Sequence, residues 1–412
     1  MKKVLFVAII ATLIAVGCEK TTIINPQPEA GITFNTDMGK LTKDGTTADQ
    51  TTLQAQGFKV SAINAYDDIY TTDNEFNDFY YGMNNLGFTY LGSSWNIKNG
   101  QSYFWPGTGK DLVFFAVSSK TQGVVIPTIS YVPEVKEDGF GISGTKDQNT
   151  GAYSGIVVHN FTIPSFKVTS PEYAQEETTT TDGTKISVGT QTGADDDLMV
   201  AKVVIQNQGE TPTDGVKGRV DLNFEHTLSK VQFVFTTSTT ENYPVQVTEV
   251  KVLDVINEAT LGVNATFADN ARTSTNEYDW SPENDNNLLA TKVVPSEGSN
   301  TSANYTNFVI DYPLNLVNGK ELPYATWLVI PQSIEGKMVS ISYTITDNTI
   351  TDTNVDKVSE FTSVFPLYND ELISWARNQY VKYKVNLSPN LITFNPVVSE
   401  DWQSVIEVGY SN

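Results

Sequence analysis

Two histidines, His159 and His226, one cysteine, Cys18, and 48 acidic residues are the raw material for chemistry in this 412-residue sequence. Nucleophilic catalysis needs a base held against a serine or cysteine and a third group to orient that base. His159 and His226 lie in separate strand-like stretches, and His226 follows "LNFE" where a strand gives way to a turn, so it reads as a structural histidine. Histidine-rich zinc sites lose their ligands for the same reason. The "GTG" at 107–109 lacks the helix and spacing of a phosphate cradle. The clustered carboxylates of "ADDDL" (194–198) and "TDTNVD" (351–356) do not fit the calcium loop with its required glycine, and they read as solvated acidic loops. Paired carboxylates can hydrolyse glycosides, but only their separation in space would identify such a pair. No catalytic, cofactor-binding or metal-binding residue is assigned, and an enzyme is not expected.

The cysteine carries a different chemistry. Lys2 and Lys3 precede an apolar run from Val4 to Gly17, which ends in small residues directly before Cys18. A run of 14 residues is too short for the roughly 20 helical residues that span a bilayer, and it reads as an export signal. Ala15-Val16-Gly17-Cys18 resembles the lipobox of bacterial lipoproteins, with Ala15 standing where leucine is usual. The expectation is removal of residues 1–17 and acylation of Cys18. At about 0.8 kcal/mol per buried CH2, two or more acyl chains hold a soluble domain firmly on a membrane. With no second cysteine, disulfides cannot contribute to stability.

Acidic residues outnumber basic ones 48 to 26, for a net charge of -22. Nucleic acid is excluded as a partner on this ground, because phosphate contacts need clustered Lys and Arg. Thr, Asn, Ser, Val and Tyr dominate and long helix-favouring stretches are absent, which is a strand-rich profile. Apolar residues alternate at period two: Val220, Leu222 and Phe224 share one face, and Val339, Ile341, Tyr343 and Ile345 another. Further strands are expected near 57–63, 111–119, 230–237, 245–254, 325–332, 380–387 and 391–398. Many short strands between Gly, Pro, Asn and Asp turns argue for antiparallel sandwiches, and the length for two of them. Residues 171–197 and 269–304 read as loops, and a helix capped by Asn369 or Asp370 is expected over 369–376.

Five segments then line up in order: "YFWPGTGKDLVFFAVSS" (103–119), "DLMVAK" (197–202), "VDLNFEHTLSKVQFVF" (220–235), "WLVIPQ" (327–332) and "YVKYKVNLSPNLITFNPVVSEDW" (380–402). Together they resemble the fimbrillins of Bacteroidales, the lipoprotein pilins of type V pili. The resemblance implies an all-β fold of two tandem β-sandwich domains, the N-terminal one transthyretin-like, with a junction near Gly218. The expected organisation is a signal peptide (1–17), an N-terminal segment (18–52), the two sandwiches (53–217 and 218–402) and a C-terminal tail (403–412). It also implies an outer-membrane and fimbrial location, a protease that trims an N-terminal strand, and polymerisation in which a strand of one copy fills the groove left in its neighbour.

Candidates for both strands are visible. Ile32 and Phe34 share a face of "GITFNTDMGKL" (31–41), the candidate plug. In the tail, Ile406, Val408 and Tyr410 share one face and Val405 takes the other, which suits a donor. Fimbrillins are commonly cut after arginine, but the first arginine here is Arg219, so Lys43 or Lys40 is the expected processing point. Expected partners are other copies or related pilins, the outer membrane through lipid on Cys18, and a host or bacterial surface ligand. The rival reading is a monomeric, lipid-anchored glycan-binding protein, for which 6 Trp and 19 Tyr supply aromatic surface.

Overall fold

A computed structural model of the chain describes residues 31–38, 50–65, 79–98, 100–107, 110–119, 126–131, 141–146, 153–168, 173–179, 185–191, 197–209, 218–282, 305–353, 355–388 and 392–399. The fold is all-β. Its first half holds β1 (Thr33–Asp37), the short helix α1 (Gln50–Gln56), β2 (Phe58–Ala65), β3 (Leu86–Tyr90), β4 (Trp95–Ile97), β5 (Asp111–Ser119), β6 (Gly141–Lys146), β7 (Tyr153–Lys167), β8 (Tyr173–Thr179), β9 (Lys185–Gln191), β10 (Leu198–Ala201) and β11 (Val204–Gln206). The second half continues with β12 (Arg219–His226), β13 (Ser229–Thr236), β14 (Val245–Ile256), β15 (Glu258–Thr266), β16 (Thr275–Ser281), β17 (Tyr305–Ile310), β18 (Leu314–Asn315), β19 (Leu322–Val329), β20 (Gln332–Ser333), β21 (Met338–Thr346), β22 (Val358–Pro366), β23 (Ser374–Trp375), β24 (Tyr380–Leu387) and β25 (Ile392–Ser399).

An eight-stranded sheet in the order β1-β12-β10-β5-β2-β3-β4, with β11 also on β5, is the frame of the N-terminal part. β5 is apolar without a break from Leu112 to Val117, and every residue of the strand is buried. Val113, Phe115 and Val117 face one core and Leu112, Phe114 and Ala116 the other, as expected of a strand covered on both sides. On the first side the sheet meets the layer β16-β15-β7-β6, where the Phe115 and Phe161 rings lie 5.0 Å apart. On the second side the sheet curls over its own core. Trp95 of β4 donates to Thr36 of β1, so the two end strands approach across that core, with Leu53 of α1 buried in the same cluster.

The C-terminal part is a second pair of layers, β19-β13-β24-β25 and β17-β14-β21-β22, with β18 on β14. Alternate residues of both layers fill the space between them, and Phe365 of β22 stacks on Phe394 of β25 at 5.1 Å. Residues on either side of Gly218 share sheets: β12 pairs with β10, and β15 with β7.

Four local expectations are corrected. Residues 369–376 form no helix; the Asn369 side chain accepts N–H bonds from Glu371 and Leu372, and the chain then enters the bridge of β23 with β20. The cap is there, but the residues after it pair across strands. The stretch 171–197, expected as loop, contains the hairpin β8–β9, and 269–304 contains β16 paired along its length with β15. Cross-strand partners, invisible in the local composition, order these polar segments. In "ADDDL", Asp197 is not a solvated carboxylate: it is buried, with Oδ2 2.9 Å from His226 Nδ1.

Candidate functional site

β1 is an end strand of the large sheet and pairs in parallel with β12, in the register Thr33↔Arg219, Phe34↔Val220, Asn35↔Asp221, Thr36↔Leu222 and Asp37↔Asn223. Its alternation does what period two requires: Phe34, Thr36 and Met38 turn inward, and Thr33, Asn35 and Asp37 face solvent. Val220, Leu222 and Phe224 point into the same core from β12.

Phe34 is 7 % exposed and sits edge-on to three rings, with centroids 4.8 Å from Phe88, 5.8 Å from Phe114 and 6.0 Å from Phe58. Edge-on packing brings the positive ring edge to a neighbour's negative face. Thr36 Oγ1 accepts from Gln50 Nε2 at 2.9 Å and Trp95 Nε1 at 3.2 Å, which satisfies a polar atom that burial would otherwise penalise. At the start of the strand Ile32 N–H donates to the Tyr103 carbonyl at 2.8 Å, and Ile32 is half-buried against the same cluster. The strand therefore occupies an apolar slot lined by Phe58, Phe88, Phe114, Val220 and Leu222. None of these carries a charge.

Charge gathers at the far end of β12. Glu225 meets Lys202 at 3.3 Å and Arg377 at 3.6 Å, and it accepts from Tyr278, whose phenol burial pushes up. Arg377 also lies over the Tyr278 ring. The next residue, His226, closes on Asp197. These contacts fix the end of β12 from residues outside β1, so the slot's floor has its own supports.

Of the residues singled out in the sequence, Ile32 and Phe34 are brought together on this face. Cys18, Lys40, Lys43, Val405, Ile406, Val408 and Tyr410 lie outside the described residues. Sequence reasoning missed Thr36, Met38 and the five lining residues; the inward period from Ile32 through Met38 was the signal for the first two. His159 and His226 lie in β7 and β12, strands of different sheets. No group of three or more His, Cys, Asp or Glu residues able to hold a metal occurs among the described residues. Nor is any helix among them long and apolar enough to cross a membrane.

The profile of the fimbrillin-like family matches residues 161–402. Among solved structures, a fimbrial protein from Bacteroides vulgatus shares 17% identity, with 90% of this chain and 99% of that one covered and a TM-score of 0.45. A fimbrial assembly protein from Parabacteroides distasonis shares 12%, with 90% and 95% covered and a TM-score of 0.32. No curated protein matches the chain.

Proposed function

The chain belongs to the fimbrillin-like family, and from that premise we propose that it is a structural pilus subunit whose N-terminal strand holds a place later taken by a strand of a neighbouring copy. In this reading the protein is exported, acylated on Cys18 and held at the outer membrane. Cleavage at Lys43, or at Lys40, then releases β1, and the tail bearing Val405, Ile406, Val408 and Tyr410 enters the vacated slot of the next subunit.

The observation that supports the reading is the seating of β1. Among the described residues it is joined to the sheet by one ladder, along β12, yet Phe34 and the adjoining Met38 are buried in an aromatic core. Its loss would leave two demands: unpaired N–H and C=O groups on β12, and an open apolar slot. An extended segment with alternating apolar side chains meets both, which is β-strand addition. Some five buried apolar side chains at about 1.5–3 kcal/mol each give roughly 8–15 kcal/mol gross, before ordering costs. A non-covalent joint of that size persists.

The test is to trim the purified protein with a lysine-specific protease and incubate it with nothing added. The reading expects denaturant-resistant ladders from the intact tail and none after deletion of residues 403–412. Trimmed protein that stays monomeric with its tail intact would refute it.

A further inference from the structure

A second feature stands a few residues from the slot. The turn before β3 places Tyr80 inside the core and its neighbour Tyr81 outside it, 82% exposed. Tyr81 has φ +44°, a left-handed conformation that a bulky residue adopts at a cost and that clusters at functional positions. The two rings meet edge-on at 4.7 Å. Facing them is the segment 101–104, where Phe104 is also exposed, at 44%. The Tyr80 hydroxyl donates to the Phe104 carbonyl, and the Tyr103 hydroxyl donates to Gln101 Oε1 at 3.3 Å. Tyr80, Tyr81, Gln101, Ser102, Tyr103 and Phe104 together line an open cleft of about 390 Å³.

Two properties narrow the ligand. None of the described lining side chains is a carboxylate, ammonium or guanidinium, and the molecule carries a net charge of -22, so an anion gains nothing there. The lining combines flat exposed rings with an amide, a serine hydroxyl and phenols. That combination suits a molecule with one apolar face and a rim of hydroxyls, which is the surface of a pyranose ring. The cleft has a firm back wall: Gly31 bridges Phe104, Ile32 N–H binds the Tyr103 carbonyl, and Trp105 is buried with its indole N–H on the Gly218 carbonyl at 3.0 Å.

The geometry points to a binding site for a neutral saccharide in this cleft, with Tyr81 and Phe104 as stacking platforms and Gln101, Ser102 and the Tyr103 hydroxyl as hydroxyl partners. The inference concerns the untrimmed chain, in which Gly31 and Ile32, residues that trimming would remove, back the cleft.

The experiment uses the full untrimmed chain and a panel of neutral disaccharides (lactose, cellobiose, mannobiose and N,N′-diacetylchitobiose), read by saturation-transfer NMR with titration of any that respond. Binding of at least one is expected, weakened about fivefold or more by Tyr81→Ala and by Phe104→Ala and retained by Tyr81→Trp. Both positions are exposed, so unchanged circular dichroism is expected. Should Tyr81→Ala fail to fold, Phe104→Ala and Gln101→Ala carry the test. Absence of binding across the panel, or binding indifferent to all three alanine substitutions, overturns the proposal. So does a Tyr81-dependent response to a synthetic peptide of residues 402–412 with none to the sugars, which would make the cleft a protein contact.

Discussion

Phe34 is the side chain on which the N-terminal strand is seated, and the loss of its ring is the most direct local test of that role. Phe34→Ala should cost the untrimmed chain about 3–5 kcal/mol in urea unfolding, the range for removing a buried ring. It should cost the trimmed chain nothing, since the residue is gone with the strand. A second residue speaks to the other half of the molecule. Lys230 is buried beneath the Tyr380 ring, 4.7 Å from its centroid; burial first and Lys382 second lower its pKa from 10.5 to about 7. Unfolding therefore takes up a proton between those values, so this lysine makes stability rise with pH from about 7 upward. The slope is at most about 1.4 kcal/mol per pH unit for one proton. Lys337, lowered to about 8 by burial, adds in the same direction, so the comparison is between the chain and its Lys230→Met variant from pH 7 to 9. The variant should show the shallower rise; identical slopes would contradict the assignment. At this scale the sequence was partly legible. Ile32 and Phe34 announce their face by alternation, whereas the Asp197–His226 contact joins residues 29 positions apart and no local pattern reveals it.

Among the elements, strands marked by an apolar run or by apolar alternation were legible nearly to the residue: β5 and β24 have the bounds that their composition suggests. Those without it were not. β8 and β9 are rich in Thr, Glu and Gln, and they are strands because they pair with each other from Tyr173↔Gln191 to Thr179↔Lys185. The segment after Tyr368 shows the opposite error, since Asn369 supplies the helix-starting chemistry without a helix following. Its side chain holds the Glu371 and Leu372 N–H groups at 3.0 and 2.7 Å and aims the chain toward β23. Asn369→Ala should destabilise by about 1 kcal/mol and Asn369→Asp by much less, read as the shift in urea midpoint. Equal effects would mean that the side-chain oxygen is not what holds the turn.

Over the whole molecule, the sheets interlock across the middle of the sequence, with β12 built into the N-terminal sheet and β15 completing the layer opposite it. The consequence for assembly is mechanical. β12, the floor of the slot, is fixed on its other flank by β10 and by the Glu225 and His226 contacts, so it should keep its place when β1 leaves. A preserved slot can be refilled; a collapsed one cannot. The decisive measurement is amide hydrogen exchange along Val220–Asn223, followed by mass spectrometry in the untrimmed chain, the trimmed monomer lacking residues 403–412, and the polymer of intact trimmed protein. Protection in the first, loss in the second and recovery in the third is the predicted order. Protection that persists in the trimmed monomer, or fails to return in the polymer, would contradict the account.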